Sequence, residues 1–296
     1  MRIALINSGI GLLATAAELH RLCPDADLVL AMDPDGMPWG PRTPADIAQR
    51  SLACARAAAA FGPDVLVFAC NTGTVHALPA LRAEFEPAIP VVGTVPAIKP
   101  AAAFSDSVAI WATVATTAST YQRRLIDDFA GSARVTPVPC PGLADAVDAG
   151  DEAATRAAVA GAAGRTPADC GAIVLGCTEY ELAAGLIGAA LPGATLFRSA
   201  AAVAAQALRR AAAGRAGTGP HPAAAATGTV RVLLSGRQAG LPEAALRYEE
   251  GRLLADLVVD RPADDRPADD FPAGPRADRE AEREAERPVP PSSVPA

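Results

Sequence analysis

Two stretches of the chain have the same form: residues 64–72 read DVLVFACNT, and residues 170–180 read CGAIVLGCTEY. Each is a short apolar run that ends in a cysteine followed by small polar residues. A continuous apolar run of this length is typical of a strand buried on both faces of a parallel sheet. Open α/β sheets place their ligand sites at the carboxyl ends of such strands, which is where Cys70 and Cys177 lie.

The pattern around these two stretches is also repeated. Short apolar runs predict further strands, at 2–9, 27–33, 90–95, 107–117 and 133–140. Helical spacing separates them, at 15–22, 43–61, 75–85, 120–130 and 152–163. Cys70 follows Asn7 by 63 residues, and Cys177 follows Thr113 by 64 residues. We therefore predict an internal duplication of an α/β unit, with the two cysteines at equivalent strand ends.

Composition narrows the classes of function. Half of the 296 residues are hydrophobic, 20% are charged and the formal net charge is −7. A large core can form, but there is no basic field for nucleic acid. No run of about 18 apolar residues predicts a membrane span, and no signal peptide is evident. We therefore expect a cytoplasmic protein with reduced cysteines, and the scattered Cys and His residues predict no metal site.

Two segments differ from this alternating pattern. Residues 260–296 repeat RPADD in tandem and are poor in apolar side chains, so we expect a disordered C-terminal tail. Residues 211–229 are rich in Ala, Gly and Pro and predict a flexible loop.

Two cysteines that face each other across a pseudo-two-fold axis can invert a stereocentre without a cofactor. A thiolate takes a proton from one face of a carbon, and a thiol delivers one to the other face. A free thiol has a pKa of about 8.5, so the thiolate needs nearby donors or positive charge. Asn71 and Thr72 after Cys70, and Thr178 after Cys177, can supply those donors and hold the substrate's carboxylate or ammonium. A lone cysteine at a strand end would more simply be a core residue.

At this level of detail the sequence resembles the glutamate racemase family, within the cofactor-independent Asp/Glu racemase superfamily. The motifs that carry the resemblance occur in the family's order: NSGIGL at 7–12, PWG at 38–40, ACNT at 69–72, GTVPAIKPA at 93–101 and GCTEY at 176–180. The match spans about residues 2–259. It implies two pseudo-symmetric parallel-sheet α/β domains with the active site between them.

The resemblance also implies domain boundaries and site residues. Residues 1–97 with 200–259 would form the first domain, residues 98–199 the second, and residues after about 200 would return to pack on the first. The implied reaction interconverts L- and D-glutamate for peptidoglycan, without a cofactor, in a chain that is often dimeric. Cys70, Cys177, Asn7 and Glu179 would be catalytic. The residues implied to bind substrate are Ser8, Pro38, Trp39, Gly40, Asn71, Thr72, Thr113, Thr116 and Thr178.

Several positions depart from the family pattern. Asn7 stands where the family has Asp, and an amide cannot take up a proton. Glu179 replaces a His, Trp39 replaces a Tyr and Arg198 replaces an Asp, while Asp148 matches a family Glu. An acid at position 179 is typical of aspartate-type racemases. The alternatives are therefore a racemase for aspartate or another acidic amino acid, or a catalytically weakened homologue that binds an amino acid.

The departures at positions 7 and 179 also predict an asymmetry between the two thiols. An ionised Glu179 would repel a thiolate at Cys177 and could accept its proton, whereas Asn7 removes a negative charge from beside Cys70. We expect one direction or one substrate to be favoured.

Overall fold

The computed structural model describes residues 1–215 and 228–259. The strands are β1 (Arg2–Asn7), β2 (Asp27–Met32), β3 (Val65–Phe68), β4 (Val91–Gly93), β5 (Ser107–Ala112), β6 (Arg134–Pro139), β7 (Ala172–Leu175), β8 (Thr195–Phe197), β9 (Val230–Leu234) and β10 (Arg237–Ala239).

The helices alternate with these strands. They are α1 (Leu12–Leu22), α2 (Pro44–Ala59), α3 (Asn71–Phe85), α4 (Ile98–Phe104), α5 (Val114–Ala118), α6 (Thr120–Phe129), α7 (Leu143–Asp148), α8 (Glu152–Arg165), α9 (Thr178–Leu182), α10 (Ala184–Ala190), α11 (Ala200–Arg215) and α12 (Glu249–Ala255), with a 3₁₀ helix at Glu243–Arg247. Within the described ranges, no helix is long and apolar enough to cross a membrane.

The strands form two sheets. The first has six strands in the order β10-β9-β2-β1-β3-β4, and the second has four in the order β6-β5-β7-β8. All pairings are parallel except that of β9 with β10. This confirms the predicted α/β class with parallel sheets.

Both sheets are covered on both faces, which explains their continuous apolar strands. The four residues of β3 and the four of β7 are all buried. Helices α1 and α11 pack on one face of the first sheet, and α2 and α3 on the other. On the second sheet, α7 to α10 cover one face and α4 with α6 the other. The strand ends are then the only parts of β3 and β7 that can reach a ligand.

The C-terminal part of the described chain packs on the first sheet. Strand β9 pairs with β2, and Thr229 Oγ1 donates to Asp27 Oδ1 at 2.7 Å. Helix α11 packs against α1 and β3. We keep the domain boundaries at residues 97, 98, 199 and 200 as a proposal.

Some helices extend beyond their predicted bounds. Helix α3 starts at Asn71 instead of residue 75, because the Cys70 Sγ accepts the Gly73 N–H at 3.3 Å and caps it. Helix α11 runs to Arg215, so the loop predicted from residue 211 was wrong at 211–215. Ala has the highest helix propensity, and Ala211 is fully buried in the core. Residues 216–227 of that loop and the predicted tail at 260–296 lie outside the described residues.

Candidate active site

A single cavity of about 670 Å³ lies where the carboxyl ends of strands from both sheets meet. Ser8 follows β1, Cys70 follows β3, Thr113 follows β5 and Cys177 follows β7, and all four line it. The other predicted site residues that line the cavity are Pro38, Trp39, Gly40, Asn71, Thr72 and Glu179. The topology therefore brings together residues that are up to 171 positions apart in the chain.

Three predicted site residues do not line the cavity. Asn7 and Thr178 are buried behind it and hydrogen-bond each other, with Asn7 Nδ2 donating to Thr178 Oγ1 at 3.2 Å. Thr116 accepts a hydrogen bond from Thr113 Oγ1 at 3.0 Å and supports that lining residue.

Cys70 is surrounded by hydrogen-bond donors. Its Sγ caps α3 and accepts the Gly73 N–H, and the backbone N–H groups of Ser8 and Thr72 also favour the thiolate. Burial and the negative charge of Glu179 outweigh them and raise the pKa of the Cys70 thiol to about 12. In the free protein this thiol is therefore protonated at neutral pH.

Cys177 faces an acceptor instead. Its Sγ donates to Glu179 Oε2 at 2.8 Å. Burial, followed by the Glu179 charge and this hydrogen bond, raises the pKa of Cys177 well above its usual value. The carboxylate therefore holds Cys177 as a thiol and lies where it can accept the thiol's proton.

The Glu179 carboxylate is itself held by neighbours. Its Oε1 accepts from Asn7 Nδ2 at 3.4 Å, and its Oε2 accepts from Thr178 Oγ1 at 3.2 Å. A Cβ at Gly11 would lie 2.4 Å from Oε1, so a larger residue there would have to displace this carboxylate. Asn7 thus links the first sheet to the acid that serves the second thiol.

Asp148 joins the two halves beside this cluster. It ends α7, lines the cavity, and accepts the Ile10 N–H at 2.9 Å through Oδ1. Burial and the nearby Glu179 charge raise the pKa of the Asp148 carboxyl well above its usual value. A Cβ at Gly9 would lie 2.3 Å from Asp148 Oδ1, so a larger residue there would have to displace the Asp148 carboxyl group.

Asn71 lines the cavity and connects the two halves, and its side chain has one acceptor left unpaired by the described part of the chain. Its Nδ2 donates to Gly176 O at 2.6 Å, which ties the start of α3 to the end of β7. Its Oδ1 is buried and has no hydrogen-bond partner within the described residues. A buried acceptor without a partner is costly.

Sequence reasoning missed much of the cavity's second half. The lining residues without a predicted substrate-binding or catalytic role are Pro41, Val114, Ala115, Pro139, Cys140, Pro141, Gly142, Ala144, Asp145, Asp148 and Arg165. Arg165 is the only Lys or Arg among the described lining residues; it is exposed, and its Nε donates to Pro139 O at 3.2 Å. It ends a helix and carries no motif, so nothing in the sequence around it marks it.

Comparison with known proteins identifies the family. The model of the Asp/Glu/hydantoin racemase family matches residues 6–207, which include both thiols and all the residues that line the cavity. The chain belongs to this family.

Individual family members are similar over most of the described chain. A glutamate racemase of Pseudomonas putida (strain W619) is 35% identical over 213 residues, covering 70% of this chain and 80% of that protein. A glutamate racemase of Roseiflexus sp. (strain RS-1) is 39% identical over 211 residues, covering 69% and 76%. The crystal structure of Escherichia coli glutamate racemase, in complex with L-glutamate and the activator UDP-MurNAc-ala, superposes with a TM-score of 0.70. That structure is 27% identical and covers 83% of this chain and 91% of its own.

These matches confirm the family that the sequence motifs indicated. The protein is an amino-acid racemase, an isomerase, with the α/β fold of this family.

Proposed function

We propose that this racemase interconverts L- and D-glutamate with Cys70 and Cys177 as its two acid–base groups. The observation that carries the proposal is that both thiols, from matching strand ends of two sheets, line the same cavity. The named activity of the Pseudomonas and Roseiflexus relatives supports glutamate as the substrate.

The proposed reaction exchanges one proton for another. The thiolate of one cysteine removes the α-proton, the electron pair passes into the α-carboxylate, and the second cysteine donates its S–H proton to the opposite face. The protonation states of the two thiols are then exchanged, so the reverse reaction uses the same groups in opposite roles. Hydroxyl groups that line the cavity, on Ser8, Thr72 and Thr113, would stabilise the carboxylate's growing negative charge.

Glu179 supplies the proton acceptor that Cys177 needs before it can act as a base. Asn7 does not reach the cavity, so its proposed role is to orient Glu179 and not to transfer a proton. Asn71 Oδ1 would accept from the substrate's ammonium, and Ser8, Thr72, Thr113 and Arg165 would contact its carboxylates. A wall beside the substrate would be formed by Pro38, Trp39 and Gly40. Thr116 and Thr178 would act indirectly, through their hydrogen bonds to Thr113 and Glu179.

The physiological setting belongs to the same proposal. We infer that the protein acts in the cytoplasm, forms D-glutamate for peptidoglycan, and functions as a homodimer without a cofactor. The resemblance to glutamate racemases supports each of these inferences.

The test follows the α-proton by NMR in D2O and optical activity by circular dichroism. Both L-Glu and D-Glu should lose the α-proton signal and racemise with the wild-type protein. Cys70→Ala and Cys177→Ala should each lower racemisation by at least about 100-fold, because each removes an acid–base group. Each variant should still exchange the α-proton of one enantiomer, and the two variants should differ in which one.

Cys170→Ala is the matched control, since Cys170 is buried in the second sheet's core and does not line the cavity. It should racemise glutamate at the wild-type rate. If only aspartate exchanged its α-proton, the substrate would be aspartate, the alternative that Glu179 favours. Ligand-dependent thermal stabilisation without any exchange would support the amino-acid-binding homologue instead.

A further inference from the structure

Trp39 forms a wall of the cavity, although it lies in a loop without strand or helix structure. Residues 33–43 connect β2 to α2. The indole is almost completely buried and packs edge-on against Phe68, with ring centroids 6.1 Å apart. A loop lacks the backbone ladder that positions a strand, so its side chains must be fixed by other contacts.

The buried Asp33 carboxylate holds this loop in place through hydrogen bonds. Asp33 is fully buried and accepts the Trp39 Nε1–H at 3.0 Å and Arg50 Nη1 at 3.2 Å on Oδ2. Its Oδ1 accepts the Gly36 N–H and the Ser235 hydroxyl, both at 3.1 Å. Arg50, which is also buried, neutralises the charge. The cavity wall is thus hydrogen-bonded to a fully satisfied buried carboxylate.

Ser235 brings the far end of the chain into this network. It lies in the turn between β9 and β10, where its N–H donates to Met32 O at 2.7 Å. Its hydroxyl also accepts the Asp35 N–H at 3.1 Å. Its φ of +46° is the positive-φ conformation that favours glycine, yet a hydroxyl-bearing residue stands there. Ser235 lies beyond residues 6–207, the part matched by the racemase family model.

We propose that Asp33 and Ser235 are positioning residues for substrate binding, which hold the Trp39 indole in place as the cavity wall. This inference rests on the proposed function for its kinetic test. The C-terminal hairpin β9–β10 then belongs to the active-site support, although it contributes no residue to the cavity lining among the described residues.

The protein contains a matched control for this network. Its second tryptophan, Trp111, is also buried and donates its indole N–H to Thr166 Oγ1 at 2.9 Å. Trp111 does not line the cavity. Thr166→Val therefore removes the same kind of indole hydrogen bond away from the site.

The experiment compares Ser235→Gly and Trp39→Phe with Thr166→Val in glutamate racemisation. Ser235→Gly removes the hydroxyl and relieves the positive φ, so a loss comes from the hydroxyl and not from backbone strain. Asp33→Asn would leave the buried Arg50 with only the partly exposed Asp46 as its anion, so loss of stability would obscure any kinetic effect of that variant. We expect KM to rise about tenfold in Ser235→Gly and Trp39→Phe, with kcat within about twofold. Thr166→Val should match the wild-type KM.

A second measurement separates this inference from the proposed function. In a Trp111→Phe background, acrylamide quenching reports on Trp39 alone, with or without substrate. Ser235→Gly should increase this quenching relative to the Trp111→Phe parent. Absence of glutamate exchange in the wild type would overturn the proposed function, and the quenching result would still test the positioning role. Wild-type quenching and KM in Ser235→Gly would overturn the positioning role itself.

Discussion

Cys70 and Cys177 occupy equivalent strand ends, but their immediate surroundings are opposite. Cys70 caps the 15-residue helix α3 and faces backbone N–H donors. Cys177 precedes the five-residue helix α9 and donates to a carboxylate. The two thiols follow matching strands of the two sheets, and residues that differ between the halves give each thiol a different proton environment.

The difference arises at two positions. Asn7, the last residue of β1, is neutral and donates to the acid, whereas Glu179, two residues after Cys177, carries that acid. The only carboxyl group in hydrogen-bond contact with either thiol, among the described residues, is thus the one beside Cys177. Helix α3 instead offers Cys70 its amino-terminal dipole, which favours a thiolate. One thiol is prepared to release its proton to a neighbour, and the other is prepared to hold negative charge.

Removing the Glu179 carboxylate is the most direct way to abolish the difference between the environments of Cys70 and Cys177. Glu179→Gln keeps the shape of the side chain but leaves no base for the Cys177 proton. We expect kcat/KM to fall about 100-fold in both directions, since L- and D-glutamate have equal free energies and the two ratios must stay equal. The asymmetry should appear in D2O, where α-proton exchange without inversion should be lost for one enantiomer and kept for the other.

Glu181→Gln controls for the loss of a buried carboxylate. Glu181 lies two residues further along and accepts from Ser199 and Ala200 at the start of α11. Its replacement should lower Tm but leave exchange equal for the two enantiomers. Equal loss of exchange for both enantiomers in Glu179→Gln would show that the two thiols share this acid.

Replacing Asn7 by the aspartate of the family should have a smaller effect, and that effect should be on stability. Asn7→Asp would set a second buried carboxyl 3.4 Å from Glu179 Oε1, replacing a donor with a like charge. One of the two carboxyls must then take up a proton, so the introduced carboxyl has a raised pKa in the folded state. The native state then binds more protons than the unfolded one, and the added cost grows as pH rises.

We therefore expect Asn7→Asp to lose about 2 kcal/mol of unfolding free energy at pH 8 and less at pH 5. Thermal unfolding at both pH values measures this loss. The double variant Asn7→Asp with Glu179→Gln should recover most of the stability, because it moves the acid instead of doubling it. A Tm for Asn7→Asp that is independent of pH would contradict the close pairing of positions 7 and 179.

The sequence was sufficient for the parts of the site that follow strands. Ser8, Cys70, Thr113 and Cys177 each stand directly after a buried apolar run, and parallel topology brings such positions together. The same logic gave the α/β class, because both faces of each sheet are covered and its strands read as continuous apolar segments.

Other features depend on side-chain direction, which no spacing rule supplies. Asn7 follows the same pattern as Ser8, yet its amide points to Thr178 and Glu179 instead of the cavity. Ser235 supports the cavity from a strand pair about 200 residues away from Asp33. Helix α11 continued through an Ala-rich segment read as a loop, because burial of Ala211 adds to its helix propensity.

The smallest effect that separates the two thiols is their reactivity in the free protein. Alkylation by iodoacetamide, measured for each cysteine by mass spectrometry between pH 7 and 10, follows the thiolate fraction. With a pKa of about 12 for Cys70 and a strongly raised pKa for Cys177, both rates should rise about tenfold per pH unit without a plateau. Cys177 should react more slowly than Cys70 at each pH, because only its proton is held by Glu179.

Cys23, which lies outside the cavity and is only partly buried, gives the reference rate for a thiol outside the site. The same raised pKa values predict that stability falls as pH rises above about 8.5, where the thiols of the unfolded chain ionise and those of the native state do not.

Glu179→Gln should bring the alkylation rate of Cys177 closer to that of Cys70, since it removes the carboxylate that opposes the thiolate. If Cys177 already reacts faster than Cys70 in the wild type, Glu179 is not the group that sets the two thiols apart. The donors around Cys70 would then have to be tested in its place.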